Sequence, residues 1–143
     1  MQRSISWRFE GRLMVVVQGA EDPSNLEWQR MLTDEAGRAL PSQSRTLIVS
    51  YGGKPDGRQR ELLGKQIARR PAPTCIMTKS ALVRAIATAL LFFNRNMKVF
   101  GLEERDRAYE FLGFSAQERD TANRLRKELE AELGLTNLHA DGL

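Results

Sequence analysis

Short apolar runs alternate with longer amphipathic stretches along most of the chain. Residues 13–17, 46–51, 74–78 and 97–100 have the length and the β-branched or apolar content of strands. Continuous apolar runs are typical of strands that are covered on both faces. Strands that alternate with helices at this spacing predict a largely parallel sheet with right-handed crossovers. The pattern therefore predicts an α/β fold.

The N-terminal segment predicts a β-hairpin. Ile5, Trp7 and Phe9 alternate with polar residues, and Gly11 separates them from the apolar run 13–17. This arrangement favours two paired strands with a tight turn at Gly11. The predicted element order is ββαβαβαβα with an added C-terminal helix.

Polar residues mark the predicted helix starts. Residues 22–25 precede the first helix, Ser80 can cap a helix over 81–93, and Ser115 with Glu118 forms a capping-box pattern. The last of these predicts a C-terminal helix at 115–135. We expect one domain over residues 1–143, with a flexible tail at 136–143.

Composition is ordinary for a globular protein and argues against several classes. The chain has 143 residues, 41% hydrophobic and 28% charged, and one cysteine, which excludes an internal disulfide framework. No apolar run is long enough to cross a bilayer. We therefore expect a cytoplasmic protein with no membrane contact.

The net charge of +4 is distributed unevenly. Residues 54–98 contain ten basic and two acidic side chains, whereas residues 103–132 contain six basic and nine acidic ones. The middle of the chain is predicted to present a positive face and its end a negative one. Aromatic residues are not interleaved with these charges, which argues against nucleic-acid binding by the basic region.

Three landmarks follow the predicted hairpin: the strand-loop-helix segment 47–63, the strand 74–78 that leads to Ser80, and the closing segment 98–112 with its Val-Phe strand and Ala-x-x-x-Leu helix. In this order they resemble the STAS fold of sulfate transporters and anti-sigma-factor antagonists, over about residues 3–113. The resemblance implies a non-catalytic, cytoplasmic module of a bacterial regulatory system that recognises a protein partner.

Phosphorylation-switched STAS domains carry a Ser or Thr at the start of the helix after the third strand. The corresponding stretch here, 52–58, contains neither residue, and Ser50 lies at the preceding strand end. Asp56 supplies either a fixed negative charge or a helix cap. The usual switch residue is therefore missing, and constitutive binding, or control by something other than phosphorylation, is the sharper hypothesis.

The predicted binding surface is the Gly-rich loop with the start of the next helix and the adjacent strand end. Arg58, Gln59 and Arg60 are predicted to make polar rim contacts, and the glycines to let a partner's backbone approach. The alternative is an anion- or nucleotide-binding site at the same loop, because a helix N-terminus flanked by basic residues suits a phosphate. The predicted residues are Ser50, Tyr51, Gly52, Gly53, Lys54, Asp56, Gly57, Arg58, Gln59, Arg60, Lys79 and Ser80.

The sequence offers no convergent catalytic set. Cys75 lies inside a predicted strand, and His139, the single histidine, lies in the predicted tail. Glu103, Glu104 and Asp106 fit a charged helix start better than an acid/base pair. We therefore expect no enzyme activity, no metal and no cofactor.

The helix predicted at 81–93 is apolar on almost every side. Such a helix is either buried under another element or paired with a partner. The leucine seam of the C-terminal helix, Leu125, Leu129 and Leu133, is one predicted cover. A homodimer through 81–93 or 116–133 is the alternative.

Overall fold

A computed structural model describes residues 3–37, 44–69, 71–90 and 95–135. Within these residues lie five strands and five helices. In chain order they are β1 (Ile5–Glu10), β2 (Leu13–Gln18), α1 (Asn25–Ala36), β3 (Arg45–Ser50), α2 (Gly57–Arg69), β4 (Thr74–Thr78), α3 (Ala81–Leu90), β5 (Met97–Phe100), α4 (Arg105–Leu112) and α5 (Ala116–Glu132).

The strands form one mixed sheet in the order β1-β2-β3-β4-β5. β1 pairs antiparallel with β2, and each later pair is parallel. Gly11 adopts a φ of +56° in the hairpin turn, a conformation that glycine reaches without steric cost. The predicted α/β class, the hairpin and the element order are confirmed.

Helices cover both faces of the sheet. Successive strand residues point to opposite sides, so each strand contributes side chains to both layers. Val15, Val17 and Leu47 lie in an apolar cluster with residues of α4 and α5. Their neighbours Met14 and Val16 point the other way, in a cluster with α1 and α2. α3 covers β4 and β5 on that second face.

The prediction that the C-terminal helix covers the apolar helix is wrong. Leu125, Leu129 and Leu133 pack against the sheet on the face opposite α3. α3 instead buries Val83 on β4 and β5 and leaves Leu82 exposed. The leucine seam of α5 is thus used within the chain, and the homodimer stays a prediction.

Ion pairs join α5 to the N-terminal hairpin. Arg12 Nε lies 2.5 Å from a Glu118 carboxylate oxygen, Arg124 Nη2 lies 2.6 Å from Glu10, and Arg8 pairs with Glu132. Arg8 and Arg12 of the hairpin therefore neutralise two carboxylates of the C-terminal segment, whereas Arg124 of that segment neutralises Glu10 of the hairpin. The expected negative end is weaker than the residue counts suggest.

The helix caps follow the sequence closely. Ser24 and Ser115 each form a capping box, with Glu27 and Glu118 respectively, and Ser80 Oγ accepts from the Val83 N–H at 3.1 Å. The helix predicted at 81–93 is seen through Leu90, and residues 91–93 lie outside the described residues. The C-terminal helix predicted at 115–135 spans Ala116–Glu132, and the predicted tail lies outside the described residues. No helix in the described part of the chain has the length and apolarity needed to span a bilayer.

Candidate functional site

The carboxyl ends of the parallel strands bring the predicted site residues to one edge of the sheet. Gln18 pairs with Ser50, and Ser50 pairs with Thr78, so the segments that follow β2, β3 and β4 leave the sheet side by side. In open α/β sheets, ligands bind outside the carboxyl ends of the strands. Lys79 and Ser80 therefore lie next to the Gly-rich loop, as predicted.

Ser50 turns into the protein. Its side chain is 3% exposed. Its hydroxyl donates to the Gly53 carbonyl at 2.9 Å and accepts from the Gly52 N–H at 3.2 Å. These two bonds close the turn after β3, so Ser50 shapes the loop and does not offer its hydroxyl to a partner.

The space beside the Gly53 Cα is occupied by other residues of the same chain. A Cβ at this position would lie 2.6 Å from Gln18 Nε2 and 2.7 Å from the Gly19 carbonyl, and it would also overlap the Glu21 carbonyl. The Gly53 N–H donates to that Gly19 carbonyl at 2.8 Å. The expectation that this glycine admits a partner's backbone is wrong, because the turn after β2 already occupies the space.

Asp56 and Gln59 form a capping box at the start of α2. The Gln59 N–H donates to Asp56 Oδ1 at 2.8 Å, and the Asp56 N–H donates to Gln59 Oε1 at 2.9 Å. The Gln59 amide also donates to the Pro23 carbonyl and to Asn25 Oδ1. Gln59 is 3% exposed. Its predicted role in a polar rim is therefore wrong, and of the two roles left open for Asp56 the cap is present.

The backbone of the loop is largely closed to a phosphate. The Tyr51 N–H donates to the Gln18 carbonyl at the end of β2, the Gly53 N–H donates to the Gly19 carbonyl, and the Gly52 N–H donates to Ser50 Oγ. The backbone N–H of Lys54 donates to Asp22 Oδ1 at 3.0 Å. Among the described loop residues, the first-turn amides of Gly57 and Arg58 are the ones left without an assigned acceptor. A phosphate cradle needs several convergent N–H groups, so this geometry disfavours the anion-binding alternative.

Four cationic side chains remain at the surface, and we call them the basic edge: Lys54, Arg58, Arg60 and Lys79. Arg58 and Lys79 are exposed and form no ion pair within the described residues. Lys54 lies 3.5 Å from Asp22. Arg60 donates to the Pro55 carbonyl at 3.2 Å and is half-buried. The residues of the basic edge thus lie in the loop and at the capped starts of α2 and α3.

A buried polar cluster lies behind the loop, and the sequence did not predict it. Tyr51 donates its hydroxyl to Glu130 Oε2 at 2.5 Å, and Arg126 donates to the Tyr51 oxygen at 3.1 Å and to Glu130 Oε1 at 3.1 Å. Burial, assisted by the bond to Glu130, raises the pKa of Tyr51 to about 12. Tyr51 therefore anchors the loop to α5 and stays protonated. The available signal was the spacing of Arg126 and Glu130, each directly after a leucine of the apolar seam.

Cys75 is packed in the core, as predicted. It is fully buried, and burial raises the pKa of its thiol to about 12, so it stays in the unreactive thiol form. His139 lies outside the described residues. Within the described ranges, no three His, Cys, Asp or Glu side chains come together as a metal site.

Comparisons with protein-family models, with curated protein sequences and with solved structures returned no significant match. The resemblance to STAS domains therefore rests on the residues and on the order of the elements alone.

Proposed function

We propose that this chain is a non-catalytic module that recognises an acidic surface of a partner protein through its basic edge. The resemblance to STAS domains supports the proposal, because such domains serve as protein-recognition modules of cytoplasmic regulatory systems. The observation that carries it is the pair Arg58 and Lys79 at the carboxyl edge of the sheet, two exposed cations that have no carboxylate partner among the described residues.

Rigidity of the supporting backbone favours recognition of a protein. Hydrogen bonds fix the loop to the turn after β2, to its own Ser50 and to α5. A preorganised surface loses little conformational entropy when it binds. The exposed charges would then steer association and set specificity more than they raise affinity.

Anion or nucleotide binding is the second candidate. The two first-turn amides of α2 and the nearby cations support it, while the internally satisfied amides and the Asp56 carboxylate weigh against it. A thermal-denaturation series with phosphate, ATP and GTP tests it, because a ligand at one hundred times its Kd stabilises the fold by about 2.7 kcal/mol. No change in melting temperature would reject this candidate.

The test of the leading proposal uses the double variant Arg58→Glu, Lys79→Glu in affinity capture from an extract of the source cells. Each substitution places a negative charge near a helix N-terminus, where it is compatible with the helix dipole, so the fold should be retained. We expect a specific partner to be captured by the native chain at low salt, to be released as salt rises, and to be lost with the double variant.

Lys127→Glu provides the matched control, since Lys127 is an exposed residue of α5 on the other side of the sheet. It should capture the same partner as the native chain. A partner that binds the double variant and the native chain equally would place recognition on another surface.

A further inference from the structure

The two outer strands of the sheet differ in how well they are protected from pairing with another chain. β5 has four residues, and the charged side chain of Lys98 is exposed within it. β1 has six residues, and its register with β2 runs from Ile5 to Glu10 without a bulge or a proline. Natural proteins keep outer strands from pairing by making them short, by placing lysine or proline in them, or by a bulge. β5 has two of these features, whereas β1 has none of them.

Half of the backbone groups of β1 point away from β2. The Gly19 N–H donates to the Ser4 carbonyl at 2.8 Å, so Ser4 and Gly19 are a hydrogen-bonded pair of the antiparallel ladder. Such pairs recur at every second residue, so the even-numbered residues of β1 direct their backbone groups to β2. Among the described residues, β2 is the one strand that pairs with β1. The odd-numbered residues therefore direct their backbone groups to the open side of the strand: Ile5, Trp7 and Phe9.

The side chains of these odd-numbered residues lie on the apolar face of β1. Ile5, Trp7 and Phe9 belong to the apolar cluster with α1, but Trp7 and Phe9 are only half-buried. Trp7 Nε1 donates to Asp34 Oδ2 of α1 at 2.8 Å. Leu26 of α1 is 58% exposed and lines a shallow groove together with Trp7. The open side of β1 is therefore flanked by apolar surface that this chain leaves partly uncovered.

The charged side chains of β1 point to its other face and are paired within the chain. Arg8 forms an ion pair with Glu132, and Arg124 Nη2 lies 2.6 Å from Glu10. Arg8 also donates to the Trp7 carbonyl at 3.3 Å, and that oxygen retains a second lone pair for the N–H of a neighbouring strand. The polar face of β1 is therefore compatible with a strand placed beside it.

We propose that β1 pairs antiparallel with β1 of a second copy of this chain, so that the two sheets join across a two-fold axis. An axis perpendicular to the sheet keeps corresponding faces together, so the apolar face of one strand continues into the apolar face of the other. The basic edge lies elsewhere, at the ends of β3 and β4. The dimer is therefore independent of the protein-recognition role.

The direction of the backbone groups and the charge of Arg8 select one register. The open-side groups of the two strands meet when odd-numbered residues oppose odd-numbered residues. Two such registers share the longest overlap, one with Arg8 and one with Trp7 on the two-fold axis. Arg8 on the axis would place like charges directly opposite each other, which destabilises a strand pair, whereas two opposed aromatic side chains stabilise it. The register therefore opposes Trp7 to Trp7, and Ile5 to Phe9, of the second copy.

Sedimentation equilibrium of the purified chain tests the proposal. A contact made by one outer strand and its flanking side chains belongs to the small interfaces, which are usually transient. We therefore expect a reversible equilibrium between monomer and dimer from the micromolar range to several hundred micromolar. A monomer at every concentration in this range would overturn the proposal.

Two control variants distinguish this interface from other surfaces. Leu82→Glu changes a residue of α3 that is 55% exposed, and the double variant Arg58→Glu, Lys79→Glu changes the basic edge. Both should dimerise like the native chain. Loss of the dimer in either of them would place the contact on α3 or on the basic edge and overturn the proposal.

Opposite charges at position 7 test whether this residue lies on the axis. Trp7→Lys and Trp7→Glu should each dimerise at least about tenfold more weakly than the native chain, because like charges meet and the aromatic pair is lost. An equimolar mixture of the two should dimerise more strongly than either alone, since an ammonium then opposes a carboxylate. Circular dichroism establishes that both variants are folded. If the mixture of folded variants associates no better than its components, the proposed pairing is wrong.

Disulfide cross-linking tests the register without relying on affinity. Cys75 is fully buried and does not compete with an introduced thiol. Trp7→Cys should form a covalent dimer with oxidised glutathione, because opposed residues of a hydrogen-bonded pair have Cα atoms about 5.5 Å apart, within the span of a disulfide. Phe9→Cys is the control, since the two Phe9 Cα atoms would be about 14 Å apart in this register. Equal rates of cross-linking for the two variants would overturn the proposed dimer.

Discussion

Arg126 and Glu130 form an ion pair inside the protein, with Arg126 Nε 3.1 Å from Glu130 Oε1 and side chains that are 8% and 1% exposed. They lie one turn apart on α5, under the Gly-rich loop. Tyr51 completes the cluster by donating to the second carboxylate oxygen and accepting from Arg126. The loop is therefore attached to the helix on the other face of the sheet through a charged contact.

Removing one charge of this pair should cost much more than removing both. Glu130→Leu leaves Arg126 buried without its carboxylate, and we expect the free energy of unfolding to fall by about 3–5 kcal/mol. The double variant Arg126→Met, Glu130→Leu should recover most of that loss, since no charge stays buried alone. Urea denaturation measures both.

Arg124 and Glu128 have the same spacing on α5 but are about half exposed, so they provide the control. Glu128→Leu should change the free energy of unfolding by less than about 0.5 kcal/mol. A similar cost for Glu130→Leu would mean that the buried pair contributes no more than the exposed one.

The stability of the protein should decrease in acid, partly through Glu118. The hydrogen bond from Arg12 lowers the pKa of Glu118 from 4.5 to about 2. The unfolded chain then binds more protons than the folded one between these values, so this stabilisation is complete above about pH 4.5 and is lost as the pH falls toward 2. Glu118→Gln keeps a capping-box side chain at this position but cannot take part in the titration.

We therefore expect the native chain to lose more stability than Glu118→Gln when the pH falls from 7 to 3. Denaturant unfolding at pH 7, 5, 4 and 3 measures the difference. Parallel stability curves for the two proteins would show that the Arg12 contact does not couple folding to protonation.

Two glycines four positions apart should respond oppositely to alanine. Gly53→Ala forces a Cβ into the backbone of the turn after β2, and we expect a loss of at least about 2 kcal/mol. A Cβ on Gly57 would lie 3.6 Å from its nearest neighbour, the flexible end of Arg60, so Gly57→Ala should be neutral or stabilise by about 0.4–1 kcal/mol. Thermal denaturation compares them, and equal melting temperatures would contradict the assigned packing of Gly53.

Gln59 should be intolerant of a change that its exposed neighbour accepts. Gln59→Glu replaces an amide that donates to the Pro23 carbonyl and to Asn25 with a carboxylate that can only accept. We expect a loss of at least about 2 kcal/mol, since the buried Pro23 carbonyl and Asn25 Oδ1 would both face a negative charge. Arg58→Glu, one residue earlier and exposed, should leave the free energy of unfolding within about 0.5 kcal/mol of the native value. If urea denaturation gave Gln59→Glu the same free energy of unfolding as the native chain, Gln59 would not be buried in solution.

Local patterns predicted the parts of the fold that depend on near neighbours in the chain. The alternation at Ile5, Trp7 and Phe9 and the glycine at 11 predicted the hairpin, and Ser24 and Ser115 predicted two helix starts. Each of these signals acts over a few residues, because caps, turns and strand faces are formed by adjacent backbone groups. The apolar environment of Cys75 was likewise visible in its own strand.

The candidate site was predicted only in position. The strand order brought residues 50–60 and 79–80 to one edge, as the parallel topology requires. The sequence did not indicate that Gly53 and Gln59 are buried, because the neighbours of Gly53 come from the turn after β2 and those of Gln59 from Pro23 and Asn25 at the start of α1. A glycine-rich loop has the same composition whether its backbone faces a partner or another part of the chain.

The amino-acid sequence by itself determined the α/β class, the order of the elements and most of the helix starts, because hydrophobic periodicity and capping are local properties. Only the tertiary structure decided which face of the sheet each helix covers and which loop residues remain exposed. It placed α5 on the face opposite α3. It also decided that Tyr51 meets Arg126 and Glu130 across 75 and more residues. An apolar stripe specifies that a helix side is buried, but the partner and the closeness of the contact depend on how all the elements fill the space around one sheet.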